Sequence, residues 1–188
     1  MYNKWQADGF AKVQAATKFA RKDGRYMKTV KVQPLTIEAF APFGTYTNLL
    51  DPKGDSLGGP FHTFYRDSSR WFCESSLPVG LSPLVVKKQE MKITGVEYHT
   101  STCEGILPLN DDAILHVTPA GGPNTDRTCA FFVPKGTIVT LYPGVYHATP
   151  LPAHEDQLNA LIMLPERAYN NDFYWVDLDE ADSFEIVE

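Results

Sequence analysis

GVEYHTSTCEGILPL, residues 95–109, reads as two short extended runs joined by a polar bend. Successive residues of a strand face opposite sides, so Glu97 and His99 share one face and Tyr98 takes the other. The small polar run TSTC, residues 100–103, suits a turn, after which Glu104 can come back toward the same face. At a rim open to water, two carboxylates and an imidazole are simply solvated or hydrogen-bonded. Gathered on one interior face, they are the donor types of a divalent-metal site. Without a metal, two facing glutamates would repel, and one of them should hold a proton.

Short runs rich in β-branched and aromatic residues continue on both sides of this stretch. LVVKKQEMKI (84–93), AILHV (113–117), TCAFFV (128–133), TIVTLY (137–142), NALIML (159–164) and DFYWVDL (172–178) are each bounded by Pro, Gly, Asn or Asp. That rhythm predicts an all-β sandwich or barrel with a few peripheral helices. A second histidine enters in GTIVTLYPGVYHATPL, residues 136–151, where Gly136 marks a strand entry, Pro143-Gly144 a turn, and His147 the head of the next strand.

Toward the N-terminus the period changes. DGFAKVQAATKFARK, residues 8–22, places Phe10, Val13, Ala16 and Ala20 at helical spacing, with Asp8 able to cap the start and Gly24 the end. A partner contact and packing on the chain's own domain are both open for this helix. TIEAFAPF predicts a short second helix capped by Thr36 and closed by Gly44, and residues 51–83 read as loops and short strands. The expected organisation is an N-terminal helical extension over 1–28 and one barrel domain over 29–188.

A chain of 188 residues, 43% hydrophobic and 12% aromatic, can bury one good-sized core. No apolar run approaches the roughly 18–20 residues of a membrane span, and no secretory leader is recognisable, so a soluble cytoplasmic protein with no membrane partner is expected. Seventeen basic against 23 acidic residues give a net charge of −6 with no basic stripe, which speaks against nucleic acid as a partner. Three cysteines without a C-x-x-C pair, Cys73, Cys103 and Cys129, fit buried thiols rather than disulfides or a thiolate zinc site. Sheet edges and the extra helix point to a homodimer.

The two histidine-bearing stretches resemble the paired motifs of the cupins, double-stranded jelly-roll barrels whose metal ligands come from two separated segments. Glu97 stands where the first motif usually has its first histidine, in the pattern E-x-H-x-x-x-x-E. Gly136, Gly144 and His147 keep the spacing of the second motif, with Leu151 where an Asn is usual. Over residues 30–165 the chain most resembles ureidoglycolate lyase, through VQPLTIEAFAPFG, GVEYHTSTCEGILPL and TCAFFVPKGTIVTLYPGVYHATPL. Glu104 replaces a Gln of that family, and Ala148 or Thr149 replaces a second His.

The resemblance implies a divalent ion (Zn, Mn, Ni, Fe or Co) held by Glu97, His99, Glu104 and His147. It also implies a small-molecule substrate, ureidoglycolate, cleaved to glyoxylate and urea. A metal-dependent sugar isomerase or epimerase of the cupin type and a non-catalytic small-molecule-binding cupin are the alternatives. His116, on the face of Ile114, is a candidate proton carrier or a satisfied core histidine, and His62 a candidate catalytic group on a covering loop or a surface residue. Arg127 is a candidate for binding a substrate carboxylate or a solvated strand-end residue, and His154 belongs to an exposed turn.

Overall fold

A computed structural model describes residues 17–20 and 26–188. In chain order it begins with β1 (Thr17–Ala20), β2 (Tyr26–Pro34), helix α1 (Ile37–Phe40) and β3 (Gly44–Asn48). The hairpin β4 (Ser56–Gly59) and β5 (His62–Tyr65) follows, then β6 (Val79–Lys87), β7 (Lys92–Ile93), β8 (Gly95–Tyr98), β9 (Glu104–Pro108) and β10 (Ala113–Thr118). A 3-10 turn, Thr125–Arg127, leads to β11 (Cys129–Val133), β12 (Thr137–Leu141), β13 (Tyr146–His147), β14 (Leu151–Pro152) and β15 (Gln157–Pro165). Helix α2 (Ala168–Asn171), β16 (Tyr174–Asp177) and β17 (Phe184–Val187) complete the chain.

The strands form the expected jelly-roll type of β-barrel. One sheet has the order β16-β8-β13-β10-β11-β2-β17-β7, with β1 added to β2 and β14 to β10. The other has the order β3-β12-β9-β15-β6. Inward-facing residues of both sheets, among them Leu115, Val117, Phe131, Val139, Leu141, Leu158 and Ala160, share one buried core. Phe131 is fully buried at its centre, its ring edge-on to Phe40 at 5.2 Å and to Phe43 at 5.8 Å. Helix α1 exists to deliver Phe40. Thr36 caps it by accepting a hydrogen bond from Ala39 N–H, while Glu38 favours the positive end of its single turn. It closes at Ala41, and Gly44 instead starts β3, where a side chain would lie 2.0 Å from the Thr140 carbonyl oxygen.

The N-terminal expectation needs correction where it can be compared. Residues 17–20, placed in the 8–22 helix by apolar spacing, form a strand antiparallel to β2, with Phe19 opposite Met27. Pairing across a ladder satisfies their backbone groups, and apolar residues three or four apart in a short stretch do not exclude it. Because β2 begins at Tyr26, the barrel also starts before residue 29. The remainder of the 8–22 segment lies outside the described residues. Among the described residues no helix is long and apolar enough to cross a membrane.

Lys28 illustrates how the sheet's far end is tied. Its buried ammonium donates to Thr125 Oγ1 at 2.6 Å and pairs with Asp126 at 2.9 Å and Asp182 at 3.1 Å, linking β2, the 3-10 turn and the segment before β17. The central aromatic cluster is the more sensitive point. Phe131→Ala is expected to destabilise the fold by about 3–5 kcal/mol, read from the urea midpoint of unfolding, because neighbouring rings close the cavity only in part.

Candidate metal centre

The rows across the large sheet fix which side chains meet. His147 lies opposite both Val117 and Glu97, and Trp175 also lies opposite Glu97, so Trp175, Glu97, His147 and Val117 form one row on one face. On the reverse face Tyr98 stacks on Tyr174 at 5.0 Å and packs on Tyr146 at 4.7 Å. This aromatic ladder holds β8, β13 and β16 in register. Alternation thus uses tyrosines on one side to aim Glu97 and His147 on the other.

Glu104 arrives from the opposite sheet. It is the first residue of β9, pairs with Leu141 of β12 and shares that residue's inward face. The turn before it is held by the segment 71–74: Trp71 Nε1–H donates to the Cys103 carbonyl at 2.6 Å, Cys103 N–H to the Phe72 carbonyl, and Glu74 N–H to the Ser101 carbonyl, both at 2.8 Å. A second restraint joins the two motifs. Gly144, at φ +81°, donates its N–H to the His99 carbonyl at 2.6 Å. A left-handed φ at this turn suits glycine far better than any branched residue.

The structure brings His99, Glu104 and His147 together. Glu104 Oε2 sits 2.9 Å from His99 Nε2 and 2.7 Å from His147 Nε2, and all three side chains are buried. One ligand atom from each lies within 4.8 Å of the others. Both outer ring nitrogens are engaged with backbone carbonyls, His99 Nδ1–H donating to Asp172 O at 2.5 Å and His147 Nδ1–H to Val145 O at 3.0 Å. With Nδ1 protonated, a neutral imidazole turns its Nε2 lone pair inward. Two such lone pairs and a carboxylate then face one point, and only positive charge, as protons or a metal ion, makes that arrangement favourable. This donor set fits a divalent ion of the zinc or transition-metal type.

Electrostatics agree with the geometry. Burial alone would lower the pKa of His147, but the charge and hydrogen bond of Glu104 outweigh it and raise it to about 9. Burial would raise Glu104, but the charge of His147 and hydrogen bonds from His147 and His99 hold it down at about 2. His99 is raised too, its hydrogen bond to Glu104 overcoming burial. Glu97 lies outside the tight group. Burial raises its carboxyl, opposed by the charge of His147 and assisted by that of Glu104.

The other residues singled out from sequence lie elsewhere. His116 neighbours Val117 in β10 and so points to the reverse face, where its ring meets Phe184 edge-on at 5.3 Å. Among the described residues neither ring nitrogen has a hydrogen-bond partner, and burial, helped by the charge of His147, lowers its pKa to about 3. His62 is exposed in the β4–β5 hairpin, and Arg127 is exposed in the 3-10 turn. Sequence reading missed Asp172. Its carboxylate accepts from Thr100 and Ser101, and its carbonyl from His99, across more than 70 residues of chain. No local signal marks that role beyond an acid at the start of a predicted strand.

Three outcomes follow for the purified protein. His147 contributes stability fully below pH 6.5 that is lost as pH rises through about 9, while Glu104 contributes above pH 4.5 and loses it as pH falls through about 2. Melting temperature in chelator should therefore peak between these ordinary values and decline on both sides. Zn²⁺ should add more stability at pH 8.5 than at pH 6, because it displaces protons. His116→Leu should leave Zn²⁺ affinity unchanged and shift stability by no more than about 1 kcal/mol in urea, since it removes a buried polar group that lacks partners among the described residues.

Comparison with known proteins places this site within a family. The signature of a family described as a domain of unknown function, DUF4867, matches residues 62–183. A protein of Agrobacterium fabrum named "Putative ureidoglycolate lyase" is 30% identical over 132 residues, which cover 66% of this chain and 77% of that protein. The matched span of the family contains Glu97, His99, Glu104, His147 and Asp172, and the chain belongs to the DUF4867 family.

Proposed function

We propose that this protein is a metal-dependent, cupin-type lyase that cleaves a small carboxylated carbinolamide, with ureidoglycolate going to glyoxylate and urea. The observation that carries the reading is the inward convergence of two Nε2 atoms and one carboxylate, each imidazole anchored through Nδ1 to a backbone carbonyl. The name borne by the Agrobacterium relative supports the choice of substrate.

His99, Glu104 and His147 would hold the ion. Bound there, a divalent cation supplies a Lewis acid for the substrate's carboxylate and hydroxyl oxygens. The reaction moves one proton: the hydroxyl loses it as the carbonyl forms, the carbon–nitrogen bond breaks, and the departing urea nitrogen gains it. Glu97, facing the site from directly across the strand pair with His147, takes that proton and returns it to the leaving nitrogen. His116 points to the other face of the sheet and has no part in this transfer. The buried imidazoles are fixed before substrate arrives, so little reorganisation accompanies the developing charge.

The test pairs metal analysis with urea release from ureidoglycolate, alongside a panel of aldoses and ketoses, with Zn²⁺, Mn²⁺ or Ni²⁺ supplied. Glu104→Ala, which removes the oxygen shared by both imidazoles, should lose the metal and all activity. Glu97→Gln should keep a bound ion yet lower kcat by about 10²–10⁴-fold, the range typical of a missing proton-transfer group. Conversion of a sugar without urea release would replace the lyase reading with an isomerase. A protein that binds none of these ions would remove the metal from the account.

A further inference from the structure

We infer that Asp172 is the positioning residue of the cation site, acting on His99 and on the turn that leads to Glu104; this rests on the metal-centre reading above. Asp172 is buried at the C-terminal end of α2, its N–H donating to the Ala168 carbonyl at 2.7 Å. Each carboxylate oxygen accepts two hydrogen bonds. Oδ1 takes Thr100 N–H at 2.7 Å and Thr100 Oγ1–H at 2.6 Å, and Oδ2 takes Ser101 N–H at 2.9 Å and Ser101 Oγ–H at 2.7 Å. The same residue's carbonyl accepts from His99 Nδ1–H.

One residue therefore controls two properties of the site. Its main chain sets which nitrogen of His99 carries the proton, leaving Nε2 to face Glu104. Its side chain fixes residues 100 and 101, half of the four-residue span separating His99 from Glu104, and so fixes the reach between the two. A carboxylate, an acceptor at both oxygens, matches this place. Four donors converge on it, and an amide would turn its own NH₂ group toward the Ser101 or the Thr100 pair. Such partners behind a metal-binding histidine commonly govern ligand orientation as much as stability. When the carboxylate no longer ties residue 172 to residues 100 and 101, its carbonyl loses its fixed place against His99, while His147, held by the Val145 carbonyl, keeps its orientation.

The experiment uses full-length protein. Zn²⁺ affinity is measured by chelator competition for the wild type, Asp172→Asn, Asp172→Ala and the milder Ser101→Ala. The solvent exchange of each imidazole Nδ1–H is followed by NMR in metal-free protein. Expected are a weakening of Zn²⁺ binding by about 10–100-fold in Asp172→Ala, a smaller loss in Asp172→Asn and Ser101→Ala, and faster exchange at His99 but not at His147. Folded Asp172 variants that bind Zn²⁺ like the wild type, or that lose melting temperature alone, overturn the inference and leave the metal reading intact. Failure of the wild type to bind Zn²⁺ overturns the metal reading instead, while the exchange at His99, which needs no metal, still decides whether Asp172 orients that ring.

Discussion

The carboxylate of Glu104, wedged between the Nε2 atoms of His99 and His147, is the interaction on which the rest of the site depends. Three buried groups that act as acceptors cannot share one point unless positive charge sits among them. In the metal-free molecule protons fill that need, which is why both histidines are raised and Glu104 is lowered. A divalent ion, as proposed above, would satisfy the same geometry with charge that does not depend on imidazole protonation. The backbone carbonyls of Val145 and Asp172 make the arrangement directional by occupying the outer nitrogens.

Holding those three groups together is a property of the whole barrel. His147 belongs to the large sheet and Glu104 to the five-stranded one, so their approach requires the two sheets to close around the Phe40, Phe43 and Phe131 cluster. The Gly144 N–H to His99 carbonyl bond then joins the two histidine-bearing segments directly. Core packing and site geometry are thus linked, because a sheet displaced by even an ångström would pull the carboxylate from one imidazole. Burial strengthens each electrostatic contact in the cluster and raises the penalty for any group left without its partner.

Much of the barrel was legible from local pattern. Seven of the runs read as strands contain β7, β8, β10, β11, β12, β15 or β16 in whole or large part, and the run 84–93 also holds the last four residues of β6, since alternation and bounding turn residues follow from pleat geometry alone. β17 was not anticipated, because FEIV offers too few residues to establish a period. The 8–22 helix failed at residues 17–20 for the same reason: apolar positions a few residues apart serve either structure, and pairing with β2 settled the matter. For the site, Glu97 and His99 could be assigned to a common direction by strand parity, yet Glu97 stands outside the tightest group. Distance across a sheet depends on register and side-chain reach, which spacing along the chain does not encode.

By itself, the sequence determined an all-β domain, an acidic surface and two separated segments whose histidines and glutamates have the chemistry of metal ligands. Tertiary structure alone decided that Glu104 meets both imidazoles, that His116 faces away from them, and that Asp172 stands behind His99. The first set follows from propensity, charge and period, which act between near neighbours. The second depends on how two twisted sheets close over a shared core, a relation between residues tens of positions apart that no local pattern records.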